Sequence, residues 1–205
     1  MKNTLRMVVT AGLVAGLLGS NSYAAAPSAP VAPAKGAFQR DLLGVYSDGE
    51  KKVLDLEEAV PQNKFDWRPA PGVRSIAEAY LHIAFGNYAM VKFVTGKEPP
   101  AEAGWEMNPT KWDKKSKDKA EIKKILEKSF AFARDGIGAM PDADLDKTVN
   151  FFGHDLTARA VLIILNGHLQ EHLGQSVAYA RANKVTPPWS KDEKANEKAH
   201  MADKK

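Results

Sequence analysis

The sequence predicts an all-α protein, a four-helix bundle carried on residues 37–189, and two observations point there. All twelve prolines fall outside four long segments, roughly 37–59, 75–96, 117–139 and 156–184. A proline inside a helix costs about 3 kcal/mol, so long proline-free stretches mark where helices are tolerated. Within those segments the apolar residues recur at helical spacing, and only a short piece near Thr148–Phe152 alternates with period two. Four amphipathic segments of this length bury their stripes best against one another. No internal repeat is visible.

The first segment places Phe38, Leu42, Val45, Tyr46, Val53, Leu56 and Val60 near one face, with Gly44 and Gly49 weakening it. The second opens on Ser75-Ile76-Ala77-Glu78, a capping-box pattern in which each end of the motif satisfies the other's backbone amide. The third follows a lysine-rich start and carries Ile122, Ile125, Leu126, Phe130, Ala133 and Ile137. The fourth has the clearest stripe: Thr157, Val161, Ile164, Leu165, His168, Leu169, His172, Ser176 and Tyr179.

The ends of the chain read differently. Lys2 and Arg6 precede an uncharged run, Met7 to Gly19, that is too short to span a bilayer core needing roughly 20 apolar residues. Basic flank, short apolar run and small residues at Ser22 and Ala24 read as a signal peptide over residues 1–24. The expectation is a periplasmic or secreted protein with no stable membrane insertion after cleavage. Residues 25–36, rich in alanine and proline, read as a linker. Residues 190–205 carry charges of both signs and little apolar surface, and read as a charged disordered tail.

Composition excludes several classes. The chain has no cysteine, so disulfide frameworks, cysteine-ligated zinc, iron–sulfur clusters and thiol nucleophiles are out. A formal charge of +4 is too mild for a nucleic-acid binder. The stretch from Lys111 to Lys124 holds seven lysines against three acids, but no arginine fork or aromatic ladder accompanies them, so it reads as a solvated loop entering a helix.

Five histidines remain available for a metal site. His168 and His172 stand at i and i+4, on the same helix face with Cβ atoms about 5–6 Å apart. They continue the Val161–Leu165 stripe, so both rings point inward, where imidazoles are costly to bury unless hydrogen-bonded or coordinated. A third ligand has to come from another helix, and His82, midway along the second segment, is the candidate. His154 and His200 read as solvent-exposed. Gln175 is placed to hydrogen-bond a ring nitrogen beyond His172, and Asn87 and Tyr88 to line the mouth. Glu171 lies one residue's rotation off the ligand face and makes a poor base.

Two sharper metal motifs fail. His168-Leu-Gln-Glu171-His172 matches H-x-x-E-H, but that protease pattern needs a downstream carboxylate ligand, and only Glu193 and Glu197 remain, both in the tail. A di-iron bundle needs two Glu-x-x-His motifs, and the one such spacing is Glu197–His200.

The run Phe65-Asp-Trp67-Arg68-Pro69-Ala-Pro71-Gly72-Val-Arg74-Ser75, leading to Glu78 and His82, resembles the first turn and second helix of the DinB family. His168-x-x-x-His172-Leu-Gly174-Gln175, Ala178-Tyr179-Ala-Arg181 and the closing Pro187-Pro188-Trp189-Ser190 resemble its last helix and exit. The likeness covers roughly residues 37 to 190. It implies up-down-down-up connectivity with a long link between the second and third helices, here Gly96–Lys117. It also implies a divalent metal ion, zinc or nickel, held by His82, His168 and His172.

Relatives include transferases for low-molecular-weight thiols, mycothiol-dependent isomerases and proteins described as hydrolases. Export weakens the thiol analogy, because those cofactors are intracellular. The resemblance therefore implies two readings. One is an exported metal-dependent hydrolase or group transferase with a small-molecule substrate and no assigned catalytic residue. The other is a non-catalytic metal-binding or stress-response protein. Relatives are often dimers, so a homodimer is one state the chain could take.

Overall fold

A computed structural model describes residues 36–190. The stretches read from the sequence as signal peptide, as linker through residue 35 and as tail from residue 191 lie outside the described residues.

Four long helices form where the proline-free segments lie: α1 (Ala37–Ala59), α2 (Ile76–Thr95), α4 (Lys119–Ala139) and α5 (Ala158–Ala182), with a single-turn helix α3 (Pro109–Trp112) between α2 and α4. A two-stranded antiparallel hairpin, β1 (Thr148–Phe151) and β2 (His154–Thr157), precedes α5. The period-two piece is thus β1, and the start of the fourth segment is taken by β2. Phe152 and Gly153 make the two-residue turn, both at positive φ (50° and 87°), the geometry that matches the twist of paired strands. Among the described residues no helix is long and apolar enough to cross a membrane.

Side-chain caps start three of the long helices. Ser75 accepts from the Glu78 amide while Glu78 accepts from the Ser75 amide, closing the predicted capping box. Asp118 caps α4 through the Glu121 amide, and Thr157 caps α5 through the Ala160 amide.

Cross-helix pairs fix the directions. Early α1 meets late α4, where Gln39 donates to the Met140 carbonyl, and late α1 meets early α4, where Lys123 pairs with Glu58. α1 runs alongside α5, with the Arg159 guanidinium over the Phe38 ring and Gly49 against Leu169. α2 runs parallel to α4, with Asn87 at Ser129 and Val91 at Gly136. α2 opposes α5, with His82 at His172 and Gly86 at His168. The connectivity is up-down-down-up, the helical bundle that the sequence predicts, with the small hairpin added.

Parallel α2 and α4 force the chain to return along the bundle. A 20-residue helix is about 30 Å long, which roughly nine extended residues would span. The link between α2 and α4 is longer, and the surplus folds into a 3₁₀ turn at Ala101–Ala103 and into α3. Trp112 of α3 is buried and donates its indole N–H to the Leu81 carbonyl at 2.8 Å, pinning the link to the middle of α2.

The core fills the space between the four long helices, with Tyr46, Leu56, Tyr80, Ile83, Leu126, Phe130, Leu165 and Leu169 all buried. Val45 and Ile164, counted in the predicted stripes, stand out in solvent instead. Asn87 and Tyr88 line no mouth. Asn87 is fully buried, accepting from the Tyr46 hydroxyl at 2.6 Å and donating to Ser129 at 3.1 Å. Tyr88 packs between Trp112 and Phe132. Facing the core a turn past His82 is geometrically equivalent to facing a cavity, and only packing against α4 separates the two.

Candidate metal centre

The capping box starts α2 so that His82 arrives less than two turns in, on the side facing α5. α5 presents His168 and His172 toward it one turn apart. Ring centroids lie 4.8 Å apart for His82 and His172, 5.1 Å for His82 and His168, and 4.5 Å for His168 and His172. One nitrogen from each ring falls within 4.8 Å of the other two, so the three could hold a metal ion. Three imidazoles are a donor set that a divalent ion such as zinc takes, with bonds of ~2.0–2.1 Å.

Each ring is held differently. Nδ1 of His82 stands 3.1 Å from Oδ1 of Asp113, whose other oxygen accepts from Arg74 Nε at 2.7 Å. A carboxylate only accepts, so Nδ1 is the donor, which leaves Nε2 as the atom of this ring that would coordinate. Nδ1 of His172 faces the Gln175 side-chain oxygen at 2.9 Å, and Gln175 in turn donates to the Tyr179 hydroxyl at 3.0 Å. The partner expected for His172 is therefore in place, and it leaves Nε2 of that ring free as well.

His168 has no such support. Its Nδ1 is buried without a hydrogen-bond partner. Its ring lies so close to α2 that a Cβ on Gly86 would stand 2.3 Å from Cε1 and 2.6 Å from Nδ1. Only glycine leaves room for that ring, and the orphaned nitrogen is what a coordinating imidazole looks like without its ion. Burial, reinforced by the neighbouring imidazoles, pushes the His168 pKa down to about 3, and burial also lowers that of His172. Both rings stay neutral, the form that coordinates metal.

Asp113 is the functional residue that sequence reasoning missed. It sits inside the lysine-rich stretch expected to be solvated, yet it and Trp112 are buried while Lys111, Lys114 and Lys115 around them face solvent. The available signal was Asn108-Pro109 ahead of Trp112-Asp113, a cap and first-turn proline announcing a helical turn. His154 is exposed at the start of β2, as expected, and His200 lies outside the described residues. Glu171 is exposed and off the ligand face.

Beside the centre opens a cavity of about 550 Å³ whose wall includes Asp113 and Gln175, the two residues that orient His82 and His172. On the other side, Phe85 stacks on His82 with centroids 6.0 Å apart, and Trp105 from the link covers Phe85. Aromatic rings thus cover His82, while the residues that orient His82 and His172 form part of the wall of a polar cavity.

The fold has known counterparts. A family model described as the DinB superfamily matches residues 46–176. A DinB-like protein from Bacillus cereus ATCC 10987 superposes with a TM-score of 0.62 at 17% identity, covering 73% of this chain and 95% of its own. A DinB-like protein from Bacillus subtilis gives 0.54 at 20% identity, covering 71% and 93%. A mutant of a mycothiol-dependent maleylpyruvate isomerase gives 0.54 at 13% identity, covering 66% of this chain and 59% of that protein. A search of curated protein sequences finds no match. Four helices in up-down-down-up order, three converging histidines and a family match over most of the bundle lead to one conclusion: the chain belongs to the DinB superfamily.

Proposed function

We propose that this protein is an exported metal-dependent enzyme acting on a small molecule, a hydrolase or group transferase, with His82, His168 and His172 as the ligands of a divalent ion. One observation carries the reading: three imidazole nitrogens lie within 4.8 Å of one another, and Asp113 and Gln175, the partners of two of those rings, line a cavity of about 550 Å³. Structural zinc sites are usually closed by four protein ligands, whereas three leave a position for substrate or water. An all-imidazole set suits zinc or nickel. A bound ion would supply Lewis-acid chemistry, polarising a substrate oxygen and acidifying water.

The chain's own residues do the rest. Asp113 and Gln175 hold two rings with their Nε2 atoms forward, and Gly86 admits the third. Export is supported by Lys2, Arg6 and the short apolar run that follows them. The mild net charge supports a small molecule rather than nucleic acid as partner.

A non-catalytic metal-binding or stress-response role is the second reading, and one feature favours it. Both carboxylates of the cavity wall are engaged: Glu78 with Arg68 and the Ser75 amide, Asp113 with Arg74 and His82. Neither stands in the cavity as an unengaged base.

Elemental analysis of the gently purified mature protein tests the metal, with one equivalent of zinc or nickel expected in the wild type and none in the His82→Ala/His168→Ala/His172→Ala protein. Turnover screens against esters, amides and thiol conjugates then separate the readings. Equal rates in wild type and triple variant would discard the enzyme.

A further inference from the structure

The cavity beside the metal centre is charged in a particular way. Its wall carries three basic side chains, Arg68, Arg74 and Lys114, against two acidic ones, Glu78 and Asp113. Arg68 is spent: it forks onto Glu78 at 3.0 and 3.1 Å and also reaches the Val73 carbonyl at 2.7 Å. Arg74 is only half used. Its Nε donates to Asp113, while among the described residues its two terminal nitrogens make no hydrogen bond. Among the same residues the Lys114 ammonium makes none either.

The residues with unused donors, Arg74 and Lys114, therefore line one cavity that carries net positive charge, and Arg74 takes the Asp113 oxygen that His82 does not. An arginine end with two N–H groups forward matches the two oxygens of a carboxylate, and a nearby ammonium adds a point charge. A neutral ligand would leave the terminal N–H groups of Arg74 and the Lys114 ammonium without the charged acceptor that a carboxylate offers.

We infer that this cavity binds the carboxylate of a small organic acid through Arg74 and Lys114, setting the remainder of the molecule toward the three histidines. The inference deepens the proposed function and rests on it for the reaction, but binding of the acid is measurable without turnover. Asp113 joins the two halves: the same carboxylate that orients His82 aims the Arg74 guanidinium.

The test is calorimetric titration of the metal-loaded protein with acetate, benzoate, succinate and glutarate, with succinamide and inorganic phosphate as comparators and metal content assayed on each sample. At least one acid should bind saturably below about 10 mM while succinamide does not. Arg74→Gln should weaken that acid about tenfold and Lys114→Gln a few-fold. Because Arg74 also braces Asp113, Lys114→Gln is the cleaner variant, since its side chain touches nothing in the centre. Saturation by none of the acids, equal binding of succinamide, unchanged affinity in both variants, or phosphate binding tenfold tighter than every acid would each overturn the inference. A protein that binds the acid but holds no metal would instead sink the proposed function and leave the anion site standing.

Discussion

Asp113 stands 3.1 Å behind Nδ1 of His82, from a loop 31 residues further along the chain, and it is buried there with Arg74 as its counter-charge. Ring partners of this kind fix tautomer and orientation and typically affect metal affinity 10–100-fold. Asp113→Asn should therefore lower zinc or nickel affinity by about 10–100-fold. Competition with a chelating dye measures it, and helical content by circular dichroism should stay at the wild-type level. An unchanged affinity would mean that the carboxylate serves only Arg74.

Two glycines, Gly86 of α2 facing α5 and Gly136 of α4 facing α2, separate the site from the scaffold. A Cβ on Gly86 would collide with the His168 ring, and one on Gly136 would stand 2.4 Å from Val91 Cγ1 in the core. Gly86→Ala should cost at least about tenfold in metal affinity with little loss of stability, because the ring can swing away and alanine gains about 1 kcal/mol in helix propensity. Gly136→Ala has no such escape, and overpacking of this kind typically costs about 1–3 kcal/mol. Its metal affinity should be unaltered. Thermal melts and metal titrations on both proteins give the comparison.

Acid should destabilise the metal-free protein through His168. Its pKa falls from an ordinary 6.5 to about 3 on folding, so between those values the unfolded chain binds a proton that the native protein refuses. The stabilisation is whole above pH 6.5 and is lost as pH drops toward 3, a few kcal/mol in all. Denaturant unfolding of the metal-free protein across this range should show the slope. His168→Gln should flatten it.

Glu57 works with the opposite sign. It is fully buried on α1, both carboxylate oxygens lack hydrogen-bond partners, and burial raises its pKa to about 7. Between 4.5 and 7 the native state holds a proton that the unfolded chain has released, so this residue costs stability as pH rises and reaches its full cost above 7. Glu57→Gln should stabilise the protein at pH 8 by up to about 3 kcal/mol and have little effect at pH 4. A stability gain of the same size at both values would rule out ionisation as the cause.

The helices were legible because proline placement and 3.6-residue periodicity are properties of neighbouring residues. Ser75 and Glu78 announced the start of α2, and the i, i+4 pair His168 and His172 announced the face on which a site would lie. Gln175 was legible for the same reason, since it sits within a turn of the ring that it supports. Val45 and Ile164 were misplaced because a stripe's edges depend on how far the neighbouring helix reaches around it.

Local sequence determined, then, which segments coil, where they begin, and which two imidazoles share a face. Tertiary structure alone decided that His82 meets that pair, that Asp113 leaves its lysine-rich surroundings to stand behind it, and that Asn87 is spent on a core hydrogen bond. Those outcomes depend on side chains from different helices and the link meeting across the bundle. Their contacts are set by the packing of parallel α2 and α4 and by the return of the link along them, a geometry that no window of neighbouring residues encodes.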